Sequence, residues 1–162
     1  IMSNMLAMQS NLRQVVGLDY DEEKLSVAES CTYDASRAQF HHGDIFTFDV
    51  PACEGALLID VLHYWPASEQ LTICRRITDA LVPGGVLVMR DGCRDEGEQH
   101  ASIHFFERLA TFIGHNRTSF GLHFQSRRGY VEMLTQVGLD VVEERSDAGR
   151  GSNRLFICRK LS

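Results

Sequence analysis

Three carboxylates, Asp19, Asp44 and Asp60, each follow a short apolar or mixed run that reads as a strand, and the residue types around them suit ligand binding. An open α/β sheet binds ligands at the carboxyl ends of its strands. An ionised carboxylate placed there can accept hydrogen bonds from two adjacent hydroxyls at once. Close to the third acid lie His63 and Tyr64, and Asp91 follows a later apolar run. Each of these three is a candidate general base for removing a proton from a hydroxyl or an acidic carbon. His63 is the first choice because it follows the run 55–59 within one turn. Plainer roles stand beside these. Asp19 can belong to a turn before a helix, Asp44 can be a solvated loop carboxylate after His42-Gly43, Asp60 can cap the next turn, and His63 can be a packing residue.

His100 and His104 are four apart on an expected helix, with Glu107 and His115 near the same face, a spacing that invites a metal. No HExxH and no cysteine pair accompanies them, so no metal site is expected. Phe105, Phe106, Phe112, Phe120 and Phe124 either line an acceptor pocket or pack as core. Arg127-Arg128 reads as a solvated pair rather than an anion clamp. GxSxG, P-loop and kinase signatures are absent, and the segment Gly149-Arg150-Gly151-Ser152 lacks the strand-then-helix context of a phosphate cradle.

The elements that must position these residues alternate. Residues 14–18, 38–41, 55–59 and 85–89 read as strands. Helices are expected from Asp21, which caps Glu22 and Glu23 and turns Leu25, Val27 and Ala28 inward, to about Cys31, and over 67–81, stopped by Val82-Pro83-Gly84-Gly85. Ile1, Met5, Leu6 and Met8 have helical spacing. Further on come helices over about 98–113 and 126–137, then strands over 140–144 and 154–158 joined by a hairpin-length linker. Near-continuously apolar strands separated by helices predict an α/β fold with parallel strands covered on both faces and right-handed crossovers. One antiparallel strand is expected at the C-terminal end. With 162 residues, the chain is read as a single domain over 1–162.

Four motifs appear in order: Val16-Gly17-Leu18-Asp19-Tyr20-Asp21, His42-Gly43-Asp44-Ile45-Phe46, Leu57-Leu58-Ile59-Asp60-Val61-Leu62-His63-Tyr64, and Leu81-Val82-Pro83-Gly84-Gly85 running into Val86-Leu87-Val88-Met89-Arg90-Asp91-Gly92. Together they resemble the class I S-adenosylmethionine-dependent methyltransferase family, over residues 1–92 in motif order and to residue 160 in element order. The resemblance implies a Rossmann-like, doubly wound, mostly parallel sheet. It implies S-adenosyl-L-methionine as cofactor, with Asp19 on the ribose hydroxyls and Tyr20 against adenine. Gly43, Asp44 and Ile45 would then meet the adenine amine and ring, and Ile59, Asp60 and Val61 would pass the methionine end. His63 and Tyr64 are the expected catalytic residues. The family's central first strand and glycine-rich turn have no match in these residues. The chain is therefore expected to be N-terminally incomplete, or to have a rearranged sheet or a strand supplied by a partner. Unpaired central strands would leave buried groups costing about 1–3 kcal/mol apiece.

The function expected is methyl transfer to a small-molecule acceptor. The alternatives are a non-catalytic methyltransferase-like binding module and a nicotinamide-dependent oxidoreductase, which would also place an acid where Asp19 stands. A net charge of -6 would repel a phosphate backbone, so no nucleic acid is expected as partner. No apolar run approaches the roughly 20 residues needed to cross a bilayer. The five unpaired-looking cysteines suit a reducing, cytoplasmic setting. A homodimer is a further expectation.

Overall fold

The computed structural model of the chain describes residues 2–9, 14–94, 122–146 and 153–161. It divides into two compact units, Ile1–Asp49 and Val50–Ser162.

The first unit contains α1 (Met2–Met8), β1 (Val15–Asp19), α2 (Glu22–Ser30) and β2 (Ala38–His42). β1 and β2 are parallel, in register from Val15 opposite Ala38 to Asp19 opposite His42. Gly17 keeps this pair close, because a Cβ there would fall 2.7 Å from Phe40 Cδ1. Asp21 caps α2 as its sequence position predicts, its carboxylate accepting from the amides of Glu23 and Lys24 at 3.0 and 3.2 Å. The bond from the Lys24 amide leads the interactions that hold the Asp21 carboxyl below its usual range. Leu25 is buried, but Val27 is 63% exposed, against the expectation that both face inward. Two residues advance the helix by about 200°, so one of them must face out.

The second unit contains β3 (Cys53–Ile59), a 3-10 turn (Leu62–Tyr64), α3 (Ala67–Ala80), β4 (Leu81–Gly92), α4 (Arg127–Gln136), β5 (Leu139–Ser146) and β6 (Asn153–Lys160). Its sheet has the order β3-β4-β6-β5. β3 and β4 are parallel, and β6 is antiparallel to both β4 and β5. Thus β3, β4 and β5 point one way, and the C-terminal strand is the reversed one. The parallel pairs and intervening helices form the expected α/β fold, with the described strands falling into a two-stranded and a four-stranded sheet.

Between Cys53 and Gly55 the β4 partner jumps from Leu81 to Val86. Residues 82–85 therefore arch out of the ladder. Gly84 takes φ 76° in this arch, and a Cβ on Gly85 would meet Val82 O at 2.8 Å and Glu54 O at 3.2 Å. The buried face of α3 presents Ile73, Cys74, Ile77 and Thr78, the spacing of a helical stripe. Along β4, Leu87, Met89 and Asp91 are all fully buried. That period of two places the carboxylate of Asp91 at the end of an apolar row. Tyr130 and Leu134 of α4, with Phe156 and Cys158 of β6, complete the core. Ser126 caps α4 by accepting from the Gly129 amide at 3.0 Å. Arg127 and Arg128 are ion-paired, with Glu144 and Glu132.

The strands are not covered as evenly as their apolar runs suggest. Val16 of β1 and Leu57 of β3 are 43% and 41% exposed. Among the described residues, each of these strands has a hydrogen-bonded neighbour strand on one side. The expected helix over 98–113, the residues His100, His104, Glu107 and His115, the aromatic residues from Phe105 to Phe120, and Gly149 and Gly151 lie outside the described residues. No helix among the described residues is long and apolar enough to cross a membrane.

Candidate active site

In the first unit, register brings the two acids to the same end of one parallel pair. Asp19 is the last residue of β1, and Asp44 follows β2 by two. The Gly43 amide donates to Asp19 O at 3.1 Å, extending the ladder past His42. A Cβ on Gly43 would meet Leu18 Cδ1 at 3.4 Å, an ordinary contact. Asp19 Oδ1 accepts from the Asp21 amide at 3.0 Å, which is the turn role its sequence also allowed. Its Oδ2 has no hydrogen-bond partner among the described residues. Asp44 is similar: Oδ1 accepts from the Phe46 amide at 2.9 Å, and its carbonyl accepts from the amides of Thr47 and Phe48. Each acid is thus fixed through one oxygen, with the other available. Tyr20 is exposed, with its ring centroid 5.7 Å from that of His42. His42 Nε2 lies 3.0 Å from Tyr20 O, so this side chain braces the turn. Ile45 is half-buried beside Asp44.

In the second unit, the segment after β3 carries the other candidates. Ile59 pairs with Arg90, and Asp60 continues the ladder by donating its amide to Arg90 O at 2.9 Å. Asp60 has φ 56°, and it alone among the described non-glycine residues has positive φ. Both its carboxylate oxygens are taken by the Arg90 guanidinium, Nε donating to Oδ1 at 3.1 Å and Nη2 to Oδ2. The plainer alternative, in which Asp60 caps the following turn, is therefore not what the structure has. Val61 precedes the 3-10 turn and supplies no side-chain cap.

His63 and Asp91 meet in full burial, at 1% and 0% exposure. Asp91 Oδ1 lies 2.6 Å from His63 Nδ1 and accepts from the Gly92 amide at 2.7 Å. Its Oδ2 accepts from the amides of Leu62 and His63 at 2.9 and 3.2 Å. A carboxylate surrounded by four donors fixes the tautomer, with the proton on Nδ1 and a lone pair on Nε2. That Nε2 is buried and has no hydrogen-bond partner among the described residues. The imidazole stacks on Phe124, with centroids 5.1 Å and planes 19° apart, and lies 4.2 Å from the Tyr64 ring. The segment bearing Phe124 is held in place because the His123 amide donates to His63 O at 2.8 Å and Gln70 Nε2 donates to His123 O at 2.7 Å. Tyr130, nearby in the core, has its phenol pushed up mainly by burial and next by the charge of Asp91, so it stays neutral.

A histidine held through Nδ1 by a buried carboxylate is fixed in orientation, and here its Nε2 is buried. Sequence reasoning placed His63 and Tyr64 here and named Asp91 as a candidate base. It missed that Asp91 anchors His63, and it missed Arg90 altogether. The alternation of β4 carried a signal for the first, since a carboxylate two residues beyond Met89 on a buried face needs buried partners. Arg90 had no motif to mark it.

The sequence profile of the methyltransferase domain family matches residues 2–85. The chain belongs to the class I S-adenosylmethionine-dependent methyltransferase family. It is 36% identical over 55 residues to the N,N-dimethyltransferase OxyT of Streptomyces rimosus, covering 34% of this chain and 16% of that protein. It is 27% identical over 73 residues to the tetracenomycin polyketide synthesis 8-O-methyl transferase TcmO of Streptomyces glaucescens, covering 45% of this chain and 22% of the relative. In structure it resembles human N-acetylserotonin methyltransferase, solved in complex with S-adenosylmethionine, with a TM-score of 0.72 and 16% identity over 96% of this chain and 43% of that one. The chain thus spans less than half of each of these methyltransferases, and the structural likeness establishes the Rossmann-like fold.

Proposed function

We propose that the chain takes part in S-adenosylmethionine-dependent methyl transfer to a hydroxyl of a small-molecule acceptor, with His63 as general base. The observation that carries this reading is the buried His63–Asp91 pair, whose Nε2 has no hydrogen-bond partner among the described residues. The family supports methyl transfer, and the acceptors named for TcmO and for N-acetylserotonin methyltransferase support a small molecule.

The donors and acceptors present suit the cofactor. Asp19 offers one unengaged carboxylate oxygen to ribose hydroxyls while its other oxygen keeps the turn rigid. Tyr20 offers an exposed ring to adenine, and Asp44 offers an oxygen to the adenine amine, with Gly43 and Ile45 on either side of it. Ile59, Asp60 and Val61 would serve the methionine end through backbone, since the Asp60 carboxylate is committed to Arg90. S-adenosylmethionine, when bound, supplies an electrophilic methyl group on a sulfonium. His63 Nε2 accepts the proton of the acceptor hydroxyl, and Asp91 holds the ring and stabilises the imidazolium that forms. Tyr64 packs against the imidazole and narrows its choice of rotamer. Alignment supplies much of the acceleration in such a displacement, and the base contributes about 10²–10⁴-fold.

The test is methyl transfer by the full-length protein from labelled cofactor, comparing a weakly acidic hydroxyl acceptor with one of the same shape that is already ionised. His63→Ala should lose about 10²–10⁴-fold in kcat with the first and little with the second. Equal losses with both would remove His63 from proton abstraction. Cofactor binding without transfer to any acceptor would favour a non-catalytic binding module.

A further inference from the structure

The turn that carries His63 is gripped from two consecutive residues of β4. Asp91 takes the amides of Leu62 and His63 and the imidazole Nδ1. Arg90, one residue earlier, takes the start of the same turn: its carbonyl accepts the Asp60 amide, and its guanidinium takes both Asp60 carboxylate oxygens. Asp60 sits at φ 56°, a left-handed conformation uncommon for a residue with a Cβ, although aspartate enters it more readily than most. Such strain concentrates at functional sites. The Asp60 and Arg90 side chains are 37% and 43% exposed, so as a surface ion pair the contact adds little to stability. Its two-point geometry fixes direction instead.

We propose that Arg90 is a positioning residue for His63, acting through Asp60. The fork holds Asp60 left-handed, and this conformation sends the chain from the end of β3 into the 3-10 turn so that the amides of Leu62 and His63 arrive at Asp91. Without the fork, the strained residue relaxes toward negative φ, the turn shifts, and the bond from Nδ1 to Asp91 lengthens. The inference rests on the catalytic reading of His63 for its kinetic consequence, and on geometry alone for its structural one.

Two readouts separate those dependencies in the full-length protein. The first is the downfield proton resonance of the His63 Nδ1–H, identified by its loss in His63→Asn, since a short bond to a carboxylate moves that proton far downfield. The second is the split of kcat against KM. Arg90→Met should broaden or lose the resonance and lower kcat about 10-fold with the acceptor KM within about 2-fold, a small change beside the full loss of a base. Arg90→Lys, which keeps charge but not the fork, should fall between Arg90→Met and the wild type. Adding Asp60→Gly to Arg90→Met should restore the resonance and most of kcat, because glycine adopts φ 56° freely and carries no orphaned carboxylate. An unchanged resonance in a folded Arg90→Met protein overturns the inference whether or not the protein transfers methyl groups. A lost resonance that Asp60→Gly does not restore overturns the route through Asp60. If Arg90→Met does not fold, Arg90→Lys with and without Asp60→Gly gives the same comparison. A resonance that responds as described in a protein without transferase activity keeps the positioning role and removes only its catalytic consequence.

Discussion

Asp91→Asn changes one atom in the most densely bonded position of the site, and its cost can be worked from the bonds present. Asp91 accepts from four donors: the amides of Leu62, His63 and Gly92 and the imidazole Nδ1–H. Asparagine has one acceptor oxygen and one NH2. With its oxygen toward Nδ1 and Gly92, the NH2 faces the Leu62 and His63 amides, and two buried donors lose their acceptor. With the amide reversed, the Gly92 amide is orphaned and the imidazole must accept at Nδ1, which puts the proton on Nε2 and ends its capacity as a base. Two orphaned donors at about 1–3 kcal/mol each give about 2–6 kcal/mol, a large part of the about 5–15 kcal/mol that holds a domain together. Urea unfolding followed by fluorescence reads this directly. For a slope near 2 kcal/mol/M, the midpoint should fall by about 1–3 M without a change in slope. A midpoint within roughly 0.3 M of the wild type would show that these four bonds do not hold the turn.

The remaining predictions concern the frame around the site. Gly85→Ala would push a Cβ against Val82 O and Glu54 O, both backbone, and should cost about 1–3 kcal/mol. Gly84→Ala pays only for φ 76° in open space, about 1–2 kcal/mol, so thermal melts should rank Gly85→Ala as the more damaging. The reverse order would mean that the arch over 82–85 relaxes easily. Burial pushes the Cys74 thiol up to about 12, with Cys158 and Asp91 adding to it, and burial pushes Cys158 up to about 12, with Asp140 adding to it. The folded chain therefore keeps protons that the unfolded chain releases. This contribution is whole below pH ~9 and is lost as pH rises toward ~12, at about 1.4 kcal/mol per thiol per pH unit. Denaturant midpoints measured across that range should fall, less steeply in Cys74→Ala. At pH 8, iodoacetamide should modify the exposed Cys31 in the native protein and reach Cys74 and Cys158 only after unfolding.

Much of the frame was legible because local signals and packing agree. Asp21 caps its helix where the sequence places a cap, and the apolar runs at 55–59 and 85–89 lie within β3 and β4. The strands extend further than their apolar cores because ladder bonds form regardless of side chain. β4 runs on through Arg90 and Asp91, which look like loop residues to a hydropathy reading and are the residues that build the site. Asp19 and Asp44 were legible as strand-end acids, and parallel register does bring them to the same end of the β1–β2 pair. The engagement of Asp60 by Arg90 was not legible. It depends on which residue stands opposite Ile59, a long-range pairing that no spacing along the chain encodes. Likewise, Val27 was misread because a three-residue apolar cluster on a nine-residue helix does not define a single face.

The most direct test of the account is calorimetric titration of the full-length protein with S-adenosylmethionine. The account predicts binding that Asp19→Ala and Asp44→Ala each weaken roughly 10- to 150-fold, the loss of a charge-assisted hydrogen bond worth about 1.5–3 kcal/mol. His63→Ala should bind with little change. An affinity that survives Asp19→Ala intact would contradict the assignment of the strand-end acids to the cofactor.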